Sequence, residues 1–495
     1  MTVISRPGDP TRLLEPGLLV GPRWRETGTG GKREHRDPAT GRVQQVYALA
    51  GADEVAEAVV AARAAQPAWR AWPIDRRRDV LLRLGALIRD RAADLAAINA
   101  LEVGTPAALS YQRYTGGQTF FDYYAGWLDK ATGDTVRTPG GLDLTLLEPI
   151  GVVGAILTWN HPLANIQTTV AAALAAGCAV VIKPPEQAPF AALCFGRLCA
   201  EAGVPPGVVS VLPGGPEVGD ALVRHPGVDK IGFVGGPGTA RRIQAAAAPT
   251  LTPLLLELGG KSASLVFADA DLDRACRFAL LITANSGQGC TIPTRMLVHE
   301  DVYDDVLDRL VAGLRAVEVG DPFDPAARMG PLIDAAACER VLAVIDRARR
   351  DGTATLALGG ERLGAEHLGD GLAGGYFVAP TVFADVDPAS ELATEEIFGP
   401  VLSVLRFRTE AQAVELANAS RYGLAGYVHT RDVDRALRVA SALDVGNVGI
   451  NGAGAPAGPF APFGGVKQSG YGKVGGLAGL LEFTRTKNVL LAVDE

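Results

Sequence analysis

The run Gly151-Val152-Val153-Gly154-Ala155-Ile156-Leu157 decides the fold. It is a short, unbroken apolar segment, the pattern of a buried strand. Working outward from it, the chain alternates. A helix is expected from about Leu163, then a strand over Ala179 to Ile182. A second helix covers Ala188 to Glu201, followed by a strand over Val208 to Leu212. A helix near Gly219 to Val223 leads to the strand Lys230 to Val234, and a helix after Gly238 leads to Leu254 to Leu258. Such β-α alternation predicts a parallel, doubly wound sheet.

Upstream, Thr2 to Ala50 holds short strand-like pieces between Gly and Pro, and a helical pattern begins at Asp53. One long helix is expected from about Asp75 to Asn99. Phe120, Phe121, Tyr123, Tyr124 and Trp127 crowd one helix and read as packing residues. Leu142 to Glu148 reads as a strand after a Gly140-Gly141 turn. Downstream, a second α/β series occupies roughly Ala270 to Asn451. No low-complexity linker separates the two, so the boundary is expected in the tight turn at Gly259-Gly260.

At 495 residues the chain is too long for one ordinary core. With 48% hydrophobic and 21% charged residues it reads as globular. A net charge of −8 argues against non-specific nucleic-acid binding. The cysteines at 178, 194, 199, 276, 290 and 338 form no C-x-x-C pair and have no His cluster beside them. Neither a metal site nor a disulfide framework is expected. The N-terminal residues lack the apolar core of a signal peptide. The apolar stretch Val170 to Ile182 is too short and too broken to span a bilayer. A cytoplasmic protein without membrane partners is expected.

The chemistry centres on Asn285-Ser286-Gly287-Gln288-Gly289-Cys290-Thr291 and on Leu254-Leu255-Leu256-Glu257-Leu258-Gly259-Gly260-Lys261. A thiol flanked by glycines can be approached closely by a substrate. A carboxylate at the end of an apolar strand can point into the same cleft as a base. Together they suggest covalent catalysis through a thioester. Bland readings exist beside these. Cys290 could be an inert buried thiol, Glu257 could be ion-paired with Lys261, and Asn160 could be a turn residue before Pro162.

Further segments carry a resemblance. Trp159-Asn160-His161-Pro162, Lys183-Pro184-Pro185-Glu186, Glu395-Glu396-Ile397-Phe398-Gly399-Pro400 and Pro462-Phe463-Gly464-Gly465-Val466-Lys467-Gln468-Ser469-Gly470 join the two runs above in a fixed order. In that order the chain resembles the aldehyde dehydrogenase superfamily, in its non-acylating, NAD(P)-dependent branch. The resemblance implies Cys290 as nucleophile, Glu257 as the base that activates water, and Asn160 with the Cys290 N–H as oxyanion donors. It implies a cofactor site at Trp159, Lys183, Glu186, Gly235, Gly236, Glu396 and Phe398. Glu186 favours NAD over NADP, because a carboxylate accepts from a 2′-hydroxyl and repels a 2′-phosphate.

The strand Lys230 to Val234 runs into Gly235-Gly236-Pro237-Gly238-Thr239-Ala240 and then a helix, a setting suited to a pyrophosphate. It resembles the family's Gly-Ser-x-x-x-Gly loop, with Gly236 replacing the Ser and Ala240 the last Gly, so a hydroxyl contact is lost. Val474 stands where many members carry a Glu that relays protons. His161, Asn165, Thr168, Ala457 and Phe463 fall where members line the substrate tunnel. These residues predict a wide, polar tunnel suited to a bulky aromatic or terpenoid aldehyde.

The implied architecture is α/β, with three parts. A Rossmann-like parallel-sheet NAD domain takes 1–130 and 149–258, an α/β catalytic domain takes 259–476, and a small β oligomerisation element takes 131–148 and 477–495. A homodimer or homotetramer is expected. Two rival readings are a CoA-acylating semialdehyde dehydrogenase, which generally lacks a Glu at the 257 position, and a Cys-dependent hydrolase or esterase. The latter would not need Lys183, Glu186, Glu396 and the glycine loop together. A third, a non-catalytic relative, need not keep Cys290, Glu257 and Asn160 as a set.

Overall fold

The computed structural model describes residues 4–116, 119–454 and 458–492. The opening apolar run forms the strand Val152–Ile156, buried along its whole length. It lies inside an eight-stranded sheet. The spatial order of the parallel strands is Val209–Val211, Ala179–Lys183, Val152–Ile156, Lys230–Val234 and Leu254–Glu257. Sequence order reverses between Val152–Ile156 and Lys230–Val234. That makes a topological switch point, with its crevice at the carboxyl ends of the strands. Leu18–Val20 and Gly470–Tyr471 flank these strands in antiparallel pairing.

The second series forms a seven-stranded sheet. Its order is Thr355–Leu358, Thr381–Ala384, Val401–Phe407, Arg295–His299, Ala263–Val266, Ala425–His429 and Asn447–Ile450. Only Thr355–Leu358 pairs antiparallel. Each sheet has its own apolar core. Val153, Val181 and Ile231 lie in one, and Leu265, Leu297 and Val401 in another.

A third sheet joins Thr135–Thr138, Gly141–Pro149 and Thr484–Ala492. Its longest pairing runs from Thr484 opposite Pro149 to Ala492 opposite Gly141. Glu148 anchors it. Lys487, Arg70 and Arg485 all reach this buried carboxylate, Lys487 at 2.6 Å.

One expected element is divided. The helix read from Asp75 to Asn99 is two helices, Ile74–Asp90 and Ala92–Val103. Arg91 leaves the helical region at φ −98, ψ 17 while its N–H still donates to Leu87 O. No Gly or Pro marks the break. The change of direction lets both Leu84 and Leu95 reach the same core. Of the crowded aromatics, Phe121 and Tyr124 are fully buried, while Phe120, Tyr123 and Trp127 are half-buried against that core. No helix among the described residues is long and apolar enough to cross a membrane.

Candidate active site

Four strand ends of the first sheet deliver side chains to one side. Val152–Ile156 leads to Trp159 and Asn160. Ala179–Lys183 ends on Lys183, Lys230–Val234 leads to Gly235, and Leu254–Glu257 ends on Glu257. The second sheet delivers its groups from the opposite polarity. Cys290 precedes Arg295–His299, and Glu396 precedes Val401–Phe407.

The segment before Cys290 is conformationally costly. Asn285 (φ 48), Ser286 (φ 56) and Gly287 (φ 74) are all left-handed, a region unfavourable to residues with a Cβ. Surrounding bonds hold them there. Asn285 Nδ2 donates to Asn160 O at 2.9 Å and to Gln288 O at 3.1 Å, and Ser286 Oγ donates to Gly330 O at 2.7 Å. Gln288 is fully buried, donating to Asn285 O and accepting from the Ile333 N–H. Strain held by such bonds is characteristic of functional sites. Gln288, Asn285 and Ser286 were all within the quoted motif, but sequence shows neither the left-handed turn nor its braces.

Cys290 is a half-buried free thiol. Burial, then the negative groups Glu396 and Glu257, push its pKa up to about 12, while the N–H groups of Cys290 and Thr291 pull it the other way. At rest it is therefore a thiol and needs a base as it attacks. Glu257 is buried, and both its carboxylate oxygens lack a hydrogen-bond partner. Desolvation holds its pKa well above the usual carboxylate range, with Lys473 opposing and Glu482 adding to the rise. The ion pair with Lys261 is not formed: the buried Lys261 Nζ also has no partner.

Asn160 is buried and reaches across to the thiol segment, its Nδ2 donating to Gln288 O at 3.1 Å. The second Nδ2 proton is left for another acceptor. The neighbouring carboxylates Glu395 and Glu396 have different surroundings. Glu395 pairs with Arg421. Glu396 accepts from the Gly260 N–H at 2.9 Å, and its pKa is raised to about 7 by burial, against the pull of that N–H, Lys261 and Arg340.

A dinucleotide fits the remaining groups. Lys183 is buried and pairs loosely with Glu186 at 3.6 Å, which leaves ammonium protons for hydroxyl acceptors. Gly235 and Gly236 lead into the helix Pro237–Ala247. A Cβ placed at Gly236 or Gly238 meets nothing within 4 Å, so the helix N-terminus opens onto free space. The Trp159 and Phe398 rings meet edge to face at 5.4 Å.

The residues expected to line a substrate tunnel are distributed less simply. His161, Asn165 and Thr168 lie at or within the start of the helix Pro162–Ala176. Arg113 Nη1 donates to His161 Nδ1 at 3.0 Å, and burial, then Arg113, keep this ring neutral by lowering its pKa well below 6.5. Asn165 Nδ2 turns back to Thr158 O, and Thr168 Oγ1 donates to Asn165 O. Phe463 forms an antiparallel bridge with the buried Val474. Ala457 lies outside the described residues.

The model of the aldehyde dehydrogenase family matches residues 24–489. Betaine aldehyde dehydrogenase 1 of Oryza sativa subsp. japonica is 38% identical over 493 residues, covering 97% of this chain and 96% of the relative. Human retinal dehydrogenase 2 is 40% identical over 489 residues, covering 97% and 92%. Among solved structures, an NAD+ complex of the Bacillus cereus aldehyde dehydrogenase superposes with a TM-score of 0.95 at 37% identity, covering 100% of both chains.

Proposed function

This chain belongs to the aldehyde dehydrogenase family, and from that premise we propose that Cys290, Glu257 and Asn160 carry its chemistry. The enzyme oxidises aldehydes and uses NAD. What supports the residue assignment is a half-buried thiol behind a braced turn that Asn160 Nδ2 reaches at Gln288 O, together with Glu257, a buried carboxylate with two unpartnered oxygens.

The steps follow from those groups. Cys290 Sγ adds to the aldehyde carbon as its proton passes to water and on to solvent. The carbonyl oxygen becomes an oxyanion, which needs donors at about 2.7–3.1 Å. The Asn160 Nδ2–H and the Cys290 N–H serve as those donors. Bound NAD supplies the hydride acceptor. The carbon is thereby oxidised by two electrons to a thioester on Cys290. Glu257 then takes a proton from water, the hydroxide adds to the thioester carbon, and the C–S bond breaks to release the acid and a Cys290 thiolate, which takes up the proton held by Glu257. Lys183 and Glu186 would hold the adenine ribose, Gly235 and Gly236 would admit the pyrophosphate, and Glu396 would accept from the nicotinamide ribose beside Trp159 and Phe398.

The proposed division of labour is an NAD domain over 1–130 and 149–258, a catalytic domain over 259–476 and an oligomerisation element over 131–148 and 477–495. Val489, Leu490 and Leu491 are exposed on the terminal strand, which suits pairing with a second copy as a homodimer or homotetramer. Light scattering at micromolar protein is expected to give a mass above the monomer; a monomer would remove this part. Six free thiols suit a reducing cytoplasm.

The proposed substrate is a bulky aromatic or terpenoid aldehyde. Half-buried Phe463 and exposed Phe460 offer apolar contact, and Phe460 meets Tyr123 edge to face at 5.8 Å. Small aldehydes bury too little apolar area there. The test compares kcat/KM for acetaldehyde, benzaldehyde and a monoterpenoid aldehyde, following NADH and free acid without CoA. Acetaldehyde as the best substrate would sink the bulky-substrate reading. Turnover that requires CoA would sink the hydrolytic step.

A further inference from the structure

Glu257 needs a way to be ionised in a site that disfavours charge, and Val474, apolar and buried, offers no carboxylate to help it. The residue beside Val474 does offer a charge. Lys473 follows the strand Gly470–Tyr471, in which Gly470 pairs directly with Glu257. Its Nζ donates to Gly464 O at 2.9 Å. A Cβ placed at Gly464 would lie 2.6 Å from Glu257 Oε1 and 3.1 Å from Lys473 Cδ, so the lysine stem runs alongside the carboxylate. A second carboxylate fixes the lysine: Glu482 Oε1 accepts from the Lys473 N–H at 3.1 Å, and Glu482 Oε2 pairs with Lys230 Nζ at 2.6 Å.

Resting on the reading of Glu257 as the general base, we propose that Lys473 is a positioning residue for it: a cation set beside an unpartnered base and anchored through Glu482 to Lys230. The charged and titratable neighbours of Glu257 divide by sign. Lys473 is the cation that favours its ionised form, and Glu482 opposes it. Cys290, which precedes a strand of the second sheet, feels the Glu257 charge. On the adjacent strand, Lys230 is occupied by Glu482. Tyr471 turns away, its hydroxyl meeting Gln244. A fixed lysine therefore sets the pH above which water can be activated. Lys473 Nζ is held by the Gly464 carbonyl rather than by Glu257, whose oxygens stay without a partner.

The test uses the full-length enzyme with NAD and benzaldehyde. The NADH burst and the steady rate are measured from about pH 6 to pH 10, a range that lies above the ordinary carboxylate pKa. Lys473→Met is expected to keep the burst but move the ascending limb of the steady rate to higher pH by about one unit. That is roughly a tenfold loss on the low-pH side. Lys473→Arg is expected to restore the wild-type limb. Glu482→Gln removes a negative neighbour and is expected to move the limb to lower pH. Opposite shifts distinguish electrostatics from loosened packing, which would move both the same way. An unmoved limb in Lys473→Met, or like-signed shifts, overturns the proposal. Should Lys473→Met not fold, a Lys473→Arg limb displaced from wild type or a Glu482→Gln limb not displaced downward overturns it equally. Glu257→Gln separates the two levels: normal turnover there removes the general-base reading itself, whereas a stalled Glu257→Gln with an unmoved Lys473→Met removes only the role of Lys473.

Discussion

The two large sheets supply the site from opposite strand ends. The first presents Asn160, Lys183, Gly235 and Glu257 at or just beyond carboxyl ends, around its switch point. The second presents Cys290 and Glu396 from segments that precede their strands. The first arrangement follows from parallel-sheet topology, which leaves a crevice where the chain order reverses. No such rule places the second set. Cys290 is held instead by a strained left-handed turn with hydrogen bonds on every side, and Glu396 by the Gly260 N–H across the junction. One sheet offers a preformed crevice, and the other closes it with braced loops.

The comparison is sharpest at one group from each sheet, Cys290 and Glu257. If the thiol belongs to acylation and the carboxylate to hydrolysis, their losses differ in kind. Cys290→Ala is expected to lower turnover by roughly 10⁴-fold or more and to give neither NADH burst nor adduct. Glu257→Gln is expected to lower steady turnover by roughly 10²–10⁴-fold while keeping a burst, with acyl-enzyme trapped on Cys290. Intact-protein mass spectrometry after mixing reads the adduct. A Glu257→Gln enzyme without burst or adduct would instead place both groups in the first half-reaction.

A smaller effect tests the braced side. Glu396 has its pKa raised to about 7 by burial. If Glu396 holds the nicotinamide ribose, only its ionised form can accept from two hydroxyls, so cofactor affinity should rise as pH rises through that value and fall below it. Glu396→Gln is expected to weaken NAD by about tenfold at high pH and to flatten the pH dependence of its KM, given about 1.5–3 kcal/mol for a charged hydrogen bond. A variant that keeps the wild-type slope would assign the titration to another group.

The smallest effects belong to the open crevice. Gly236 has free space around its missing Cβ, so Gly236→Ser should be accepted without strain and add a hydroxyl toward the pyrophosphate. A gain of a few-fold in NAD affinity is expected from one hydrogen bond. Glu186→Gln should lower the preference for NAD over NADP by a similar factor, by relieving repulsion of the 2′-phosphate. Competition titrations of both cofactors against wild type read both changes. A wild type that turns over faster with NADP at equal concentration would remove the Glu186 argument.

The sequence by itself determined the first sheet almost element by element. Its strands are continuous apolar runs separated by helical periods, and burial on both faces leaves such runs no other stable place. The pairing of Cys290 and Glu257 stood out in their local runs, and the resemblance carried by further runs added Asn160 and Glu396 as expectations. What the sequence left open depends on residues distant in the chain. The break at Arg91 carries no Gly or Pro and comes from packing two helices on one core. The pairing read between Glu257 and Lys261 looked plausible from their spacing, yet the fold leaves both without a partner. The brace of Gln288 and Asn285 and the run from Lys473 through Glu482 to Lys230 join segments far apart in the chain. Local pattern fixes secondary structure because backbone geometry is periodic. The ionisation of a buried carboxylate is fixed by whichever charges the completed fold brings beside it, and only the tertiary structure decides those.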